Sequence, residues 1–441
     1  MIGFKDHFSF KKLLLYTLPS VVMLIFTSIY GVVDGFFVSN FVGKTPFASV
    51  NFIMPFLMIL GSVGFMFGTG GSALIAKCIG EGERERANKI FSMIISASVI
   101  CGFVLAAVGL AVIRPFTALL GAEGQMLEEC VVYGRIILIA IPAYILQYEF
   151  QCLFATAGKP KLGLYVTIAA GLTNIALDAL FVAVLPWGLE GAAAATAISQ
   201  YVGGIVPLIY FIRPNKSLLK FTRFKVEWKM LLKTCTNGSS ELMSNISMSV
   251  VSMLYNAQLL KYAGENGVAA YGVLMYVYLV FQAVFIGFSV GSAPVVSYNF
   301  GSGNYSELKS LLKKSLIIIA ASAVIMFAVA EISARPLSLL FVGYDKELLS
   351  MTQRAFFIYS FAFLFSGFSV FGSSFFTALN DGLVSAFISF MRTLVFQVVS
   401  VLTLPLLLDL DGIWLSIVAA EVLAIMLTAL MLIAKKKKYN Y

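Results

Sequence analysis

Residues 171–185 read GLTNIALDALFVAVL, a run apolar enough to sit inside a lipid bilayer yet interrupted by Asn174 and Asp178. A spacing of four puts both side chains on one face of a helix. A carboxylate at membrane depth costs about 3 kcal/mol or more unless it is satisfied, so such residues mark functional sites by default. A second acid, Asp34, lies in the apolar run IYGVVDGFFV at 29–38. Two carboxylates and an amide in hydrocarbon point to a cation or proton site. The competing reading is that neighbouring helices satisfy both acids, which then only fix packing.

The rest of the chain has the same character. Sixty per cent of its residues are hydrophobic and 12% charged, with a mean hydropathy of +0.92. Soluble domains carry about 25% charged residues, so a polytopic, all-α membrane protein is predicted. The basic start (Lys5, Lys11, Lys12) runs into a long apolar helix with no small-residue cleavage site, so no removable signal is expected. The net charge of +9 belongs to short loops and does not imply nucleic acid. The five cysteines show no paired spacing, and the only histidine, His7, precedes the apolar segments. Neither a disulfide framework nor His-based chemistry in the bilayer is indicated.

Twelve apolar segments follow one another, from 13–42 to 412–434, with the seventh at 236–262. Prolines inside them (Pro19, Pro55, Pro142, Pro207, Pro294, Pro405) predict kinks. Lys and Arg concentrate on alternate loops, which puts both termini on the cytoplasmic side of the cell (plasma) membrane. The loop carrying Asp381 departs from this trend, with no Lys or Arg nearby.

The sequence also repeats. Gly80-Glu-Gly returns as Gly301-Ser-Gly, Arg114-Pro115 as Arg335-Pro336, Thr156-Ala157 as Thr377-Ala378, and Glu190-Gly191 as Asp411-Gly412, each pair 221 residues apart. A constant offset over four anchors indicates duplication. The predicted organisation is an N-terminal six-helix lobe (1–212), a basic cytoplasmic linker (213–235) and a C-terminal six-helix lobe (236–441). Because six is even, the two bundles face the same way about a pseudo-two-fold axis along the membrane normal. Two readings of the linker are open: an amphipathic segment on the inner leaflet, or a solvated tether. At the same offset Asp34 becomes Tyr255, Asn174 becomes Val395 and Asp178 becomes Val399, so the ion site belongs to the N-terminal half alone.

With LPSVVMLIFTSIYGVVDGFFV in the first segment, GxG loops at Gly80–Gly82 and Gly301–Gly303, and NIALDALFVAVLPWGLEGAAAATAIS across the fifth and sixth, the chain resembles the multidrug and toxic compound extrusion (MATE) family over essentially its whole length. The resemblance implies a secondary active antiporter, not an enzyme. It would export amphipathic, often cationic compounds against inward Na+ or H+ flow, as a monomer in the lipid bilayer without a bound cofactor. It places the family's N-lobe cation site on Asp34, Asn174, Asp178 and Thr196, a pocket tyrosine on Tyr30 and a helix-bending proline on Pro19. The rival reading is a related flippase for lipid-linked oligosaccharide, whose cavity would need Arg or Lys for a diphosphate.

Sodium, a hard cation, prefers oxygen ligands, and Asn174, Asp178 and Thr196 supply three kinds. A proton needs only a desolvated carboxylate, so the choice of ion stays open. On the fourth segment, Glu149 with Gln147 and Gln151 either faces a substrate cleft or is simply hydrogen-bonded. Arg392 and Glu421 are read as a structural ion pair across the last two segments. The many methionines, Met248 and Met275 among them, suit a pliable cavity as a group. No GxxxxGK[ST] loop is present, so no ATP site is encoded.

Overall fold

The computed structural model describes residue 4, residues 6–343 and residues 345–441; Lys5 of the basic start lies outside them. The described chain is an all-α membrane protein. Its helices are α1 (Phe10–Phe37), α2 (Lys44–Gly80), α3 (Arg84–Leu119), α4 (Gly124–Thr156), α5 (Pro160–Asp178) and α6 (Gly188–Ile212), then α7 (Trp228–Gly301), α8 (Tyr305–Val342), α9 (Lys346–Tyr359), α10 (Phe363–Ala378), α11 (Gly382–Phe390), α12 (Phe396–Thr403) and α13 (Pro405–Tyr439). α9 with α10, and α11 with α12, each make one crossing.

Among the described residues, eleven crossings are long and apolar enough to span a membrane by themselves. The segment predicted at 236–262 is helical but is not one of them, because it carries Asn237, Ser240, Glu241, Ser244 and Asn245. It forms the first arm of α7, which begins at Trp228 and is divided from the second arm at Gly264 (φ 61°, ψ −152°). A helix this polar is tolerable at membrane depth only where it lines protein or water rather than lipid, and this one lines the central cavity described below.

The irregularities do not fall where the prolines predict. Helical dihedrals continue through Pro19, Pro55, Pro142, Pro207 and Pro294, and Pro405 opens α13. The breaks are at Gly264 and Asp409, with π-helical turns at Val38–Val42, Ala179–Val184 and Met391–Val395. Such turns occur frequently at functional sites; here one follows Asp178 and another contains Arg392.

Packing differs between the two ends of the molecule. At the end bearing the GxG loops, one apolar core joins both halves, from Phe8, Phe91 and Phe150 to Phe285, Leu308 and Phe375. At the opposite end each half keeps its own core, one around Tyr133 and one around Tyr255. The molecule is therefore closed at its basic end and parted at the other. Closure depends on glycine. A Cβ on Gly80 would lie 2.2 Å from the Tyr298 carbonyl oxygen and one on Gly301 2.3 Å from that of Lys77, a reciprocal pair across the pseudo-axis. Deeper in, Gly70 and Gly238 bring α2 and α7 together backbone to backbone.

Terminal segments reinforce the closed end. The Phe8 amide donates to Glu307 Oε1 (2.9 Å), His7 Nδ1 contacts Glu307 Oε2 (2.7 Å) and Lys314 donates to the Phe8 carbonyl (2.5 Å), tying the N-terminus to the second half. Asp381 accepts from Lys438 (3.2 Å) and from the Tyr439 hydroxyl, so the C-terminal tail supplies the positive charge that its loop lacks. The linker is held against the protein rather than left as a free tether. Residues 213–227 run extended along the first half: Lys220 N donates to Asn88 Oδ1 (3.0 Å), Thr222 N to Ser92 Oγ (2.8 Å), and Leu219 is fully buried. All five cysteines are free thiols.

Candidate cation site and central cavity

α1 and α5 meet through Gly171, where a Cβ would lie 2.4 Å from Phe26 and 2.9 Å from Tyr30. This close approach carries Asp34, one turn beyond Tyr30, to the face of α5 that holds Asn174 and Asp178. α6 adds Thr196, whose hydroxyl donates to Asp34 Oδ1 (3.1 Å) while the Asn174 amide donates to Thr196 Oγ1 (3.4 Å). Asp34 and Asp178 lie close enough to interact electrostatically. Asn174, Asp178 and Asp34 are all buried. The sequence-predicted residues are thus brought together from three helices.

Three oxygens there stand out. Asn174 Oδ1, Asp178 Oδ1 and Asp178 Oδ2 are buried with no hydrogen-bond donor among the described residues. A buried, unpaired acceptor costs about 1–3 kcal/mol, and more when charged, and two carboxylates do not sit face to face without a shared proton or cation. The donor set is all oxygen, as a hard cation requires, and it fits a proton equally well.

Tyr133 of α4 was not picked out by its sequence. It is fully buried beside Asp34, Asp178 and Thr196, and its hydroxyl makes no hydrogen bond. A tyrosine in an apolar helix carries no mark that separates it from packing. Tyr30 joins the same neighbourhood, accepting from Gln147 Nε2 (3.4 Å). Pro19 is buried on α1 where that helix abuts α7: a Cβ on Gly287 would meet the Val21 backbone at 2.5 Å.

Of the two α4 readings the hydrogen-bonded one is seen for Glu149, and the cleft-facing one is not. Of residues 147–151 only Tyr148 lines the central cavity. Gln147 turns toward Tyr30. Glu149 is fully buried on another face, accepting from Ser98 Oγ at 2.5 Å, and Gln151 is buried with both amide atoms unpaired. Successive helical residues are rotated by about 100°, so one α4 position faces the cleft while its neighbours cannot. The cavity instead takes its charged lining from Glu241 and Arg392. Arg392 meets Glu421 through Nε at 3.1 and 2.9 Å and Nη2 at 2.9 Å, the predicted ion pair.

The MatE sequence family matches residues 19–180 and again residues 242–403, once in each half. The chain belongs to the MatE family. MatE proteins are transporters rather than enzymes, so the resemblance read from the motifs holds. Among curated relatives, the multidrug export protein MepA of Staphylococcus haemolyticus is 24% identical over 371 residues, covering 82% of each chain. MepA of Staphylococcus aureus strain MRSA252 is 24% identical over 365 residues, covering 81% of this chain and 80% of its own. Among solved structures, an outward-facing multidrug resistance MATE transporter of the MOP superfamily superposes with a TM-score of 0.92 at 22% identity, covering 98% of both chains. A MATE protein in a bent conformation superposes with a TM-score of 0.88 at 22% identity, covering 99% of this chain and 98% of its own. These likenesses establish the MatE fold.

Proposed function

We propose that this MatE protein exports amphipathic, often cationic compounds in exchange for an inward-flowing Na+ or H+ held by Asp34, Asn174, Asp178 and Thr196. The observation that carries the reading is the set of buried oxygens on Asn174 and Asp178 that lack any donor among the described residues and lie near a second carboxylate, Asp34. Occupancy by a cation or proton neutralises that cluster. The ion then shifts the balance between outward- and inward-open states by its differential affinity for the two. The export of drugs by the MepA relatives supports the substrate class.

In this reading residues 1–212 and 236–441 form two lobes that rock about the closed, cytoplasmic end, with both termini inside the cell and the monomer as the working unit. Pro19 lies where α1 must yield if the lobes part there. A flippase for a diphosphate-linked oligosaccharide fits less well: among the described residues the central cavity is lined by one basic side chain, Arg392, already neutralised by Glu421. Flux of a fluorescent organic cation in proteoliposomes, with Na+ and H+ gradients imposed separately, tests the proposal. Accumulation driven by at least one gradient is expected, and none under either would refute it.

A further inference from the structure

The stretch that joins the two halves carries seven basic residues and one acid between 213 and 233. The protein fixes its path. Besides the amide bonds to Asn88 and Ser92 of α3, the Leu218 amide donates to the Ala157 carbonyl (3.2 Å) and the Glu227 amide to Met93 Sδ (3.3 Å). The Phe221 ring meets Phe91 edge-on, with centroids 5.9 Å apart. These contacts hold one side of the stretch against the first half. The other side is open: Lys220, Arg223, Lys225 and Lys229 are exposed, and among the described residues none of them forms a salt bridge. The single acid, Glu227, is exposed as well and acts on Arg86 of α3.

Large apolar side chains are exposed among these cations: Val226 (53%), Trp228 (75%) and Leu232 (67%). Trp228 and Leu232 stand four residues apart at the start of α7 and share a helical face, with Lys229 and Lys233 as the adjacent row. Their depth follows from the contact between α7 and α2. A Cβ on Gly70 would lie 2.1 Å from the Thr234 carbonyl oxygen, so these two residues are level. At 1.5 Å per residue, Gly80 at the basic end of α2 lies about 15 Å beyond that level and Trp228 about 9 Å, which leaves Trp228 about 6 Å short of the end of α2. The indole is therefore beside the last turns of the bundle and not in water beyond them. Tryptophan at such a depth sits at headgroup level, and cations there are drawn to a negatively charged leaflet. A soluble polyanion would meet the charges but give the apolar row nothing to enter.

We propose that residues 223–233 dock on anionic phospholipid of the cytoplasmic leaflet, with Trp228 and Leu232 at the boundary of headgroups and acyl chains and Arg223, Lys225 and Lys229 against the negative headgroups. Because α3 already sets the path of the stretch, little conformational freedom is lost on docking. The same stretch opens α7, whose first arm meets α2 at Gly70 and Gly238 and lines the central cavity. Lipid charge therefore acts on the helix that closes the basic end. The choice of leaflet rests on the reading that the basic end lies inside the cell; the site itself needs only the bilayer.

The test is quenching of Trp228 fluorescence by brominated acyl chains, with the full-length protein in nanodiscs. The chain has two other tryptophans, Trp187 and Trp414, so each protein is measured against its own Trp228→Phe counterpart and the difference is the Trp228 signal. At equal mole fraction, brominated phosphatidylglycerol should quench that signal about threefold or more over brominated phosphatidylcholine. Arg223→Gln, Lys225→Gln and Lys229→Gln together, all on the exposed side, should abolish the preference in protein that elutes as a normal folded species. Equal quenching of the wild type by both lipids would overturn the anionic-lipid site. No quenching by either would put Trp228 in water and leave the surface to a soluble partner, which overturns docking altogether. A preference that persists in the triple variant would overturn the role given to these cations. Inorganic phosphate added to discs of phosphatidylcholine alone should leave the Trp228 signal unchanged, and a saturating response would assign the cations to free phosphate instead. Export takes no part in the readout, so a failure here is distinct from a failure of the coupling proposal.

Discussion

Closure of the basic end by glycine gives a direct way to unbalance the transporter. A methyl group at Gly238 would lie 1.9 Å from the Met66 carbonyl oxygen and 2.8 Å from its carbon. Both are backbone atoms, so no rotamer change relieves the overlap and α2 must move away from α7. Overpacking of this kind costs about 1–3 kcal/mol, which is roughly a 5- to 150-fold loss in the population of the state that contains the contact. The strain exists only while the basic end is closed. Gly238→Ala should therefore favour the conformation open at that end rather than unfold the protein. Spin labels at Glu81 and Ser302, exposed on the two GxG loops, report the separation by double electron–electron resonance. The parent protein should give mainly one short distance, and Gly238→Ala should add a longer population with slower export. An unchanged distance distribution and unchanged export, in protein that elutes as a normal folded species, would refute the reasoning.

Other outcomes follow from particular contacts. Arg392→Met alone should destabilise by about 3–5 kcal/mol because it leaves Glu421 buried and unpaired, whereas Arg392→Met with Glu421→Leu should recover most of that; melting temperatures of the three proteins check this. Burial by itself would push the Asp381 carboxyl up, but its hydrogen bonds from Tyr439 and Lys438 outweigh that and hold it below the usual carboxylate range. A depressed folded-state pKa stabilises above the ordinary value near 4 and loses that contribution as pH falls through the lower, folded value. Proteolysis of the C-terminal tail should accordingly rise on acidification below about pH 4, and Asp381→Asn should show the released tail already at neutral pH. Asn174→Ala separates the coupling ions: export should fall at least tenfold if sodium is used, since one ligand oxygen goes, and only a few-fold if a proton is used, since Asp178 remains. Dye export measured under each gradient in turn decides it.

How much of this was legible beforehand depended on how rare each signal is in a membrane helix. Asp34, Asn174 and Asp178 stood out because polar groups in hydrocarbon are costly, and the structure brings them together. Thr196 carried no such mark and came only from the family resemblance. Tyr133 was invisible, being one more aromatic in an apolar helix. Glu149 stayed open between two readings because a buried acid signals only a need for partners, and Ser98 meets that need away from the cleft. Glu241 stands near the start of the seventh apolar segment, but α7 begins eight residues before that segment, which places Glu241 on the cavity wall. The prolines overpredicted breaks because neighbouring helices hold the chain helical around them, while Gly264 and Asp409 break it through backbone dihedrals that apolar periodicity does not encode.

The central claim is that the acidic cluster of the first half couples ion flow to export, and Asp178→Asn tests it most directly. Asparagine keeps the volume and a hydrogen-bonding oxygen but removes the charge and cannot release a proton. The measurement is accumulation of a fluorescent cation against its own gradient in proteoliposomes carrying equal amounts of folded wild-type or Asp178→Asn protein, under imposed Na+ and H+ gradients. The account predicts that the variant is reconstituted normally and still binds the cation but shows no gradient-driven accumulation. Accumulation at the wild-type rate would contradict it.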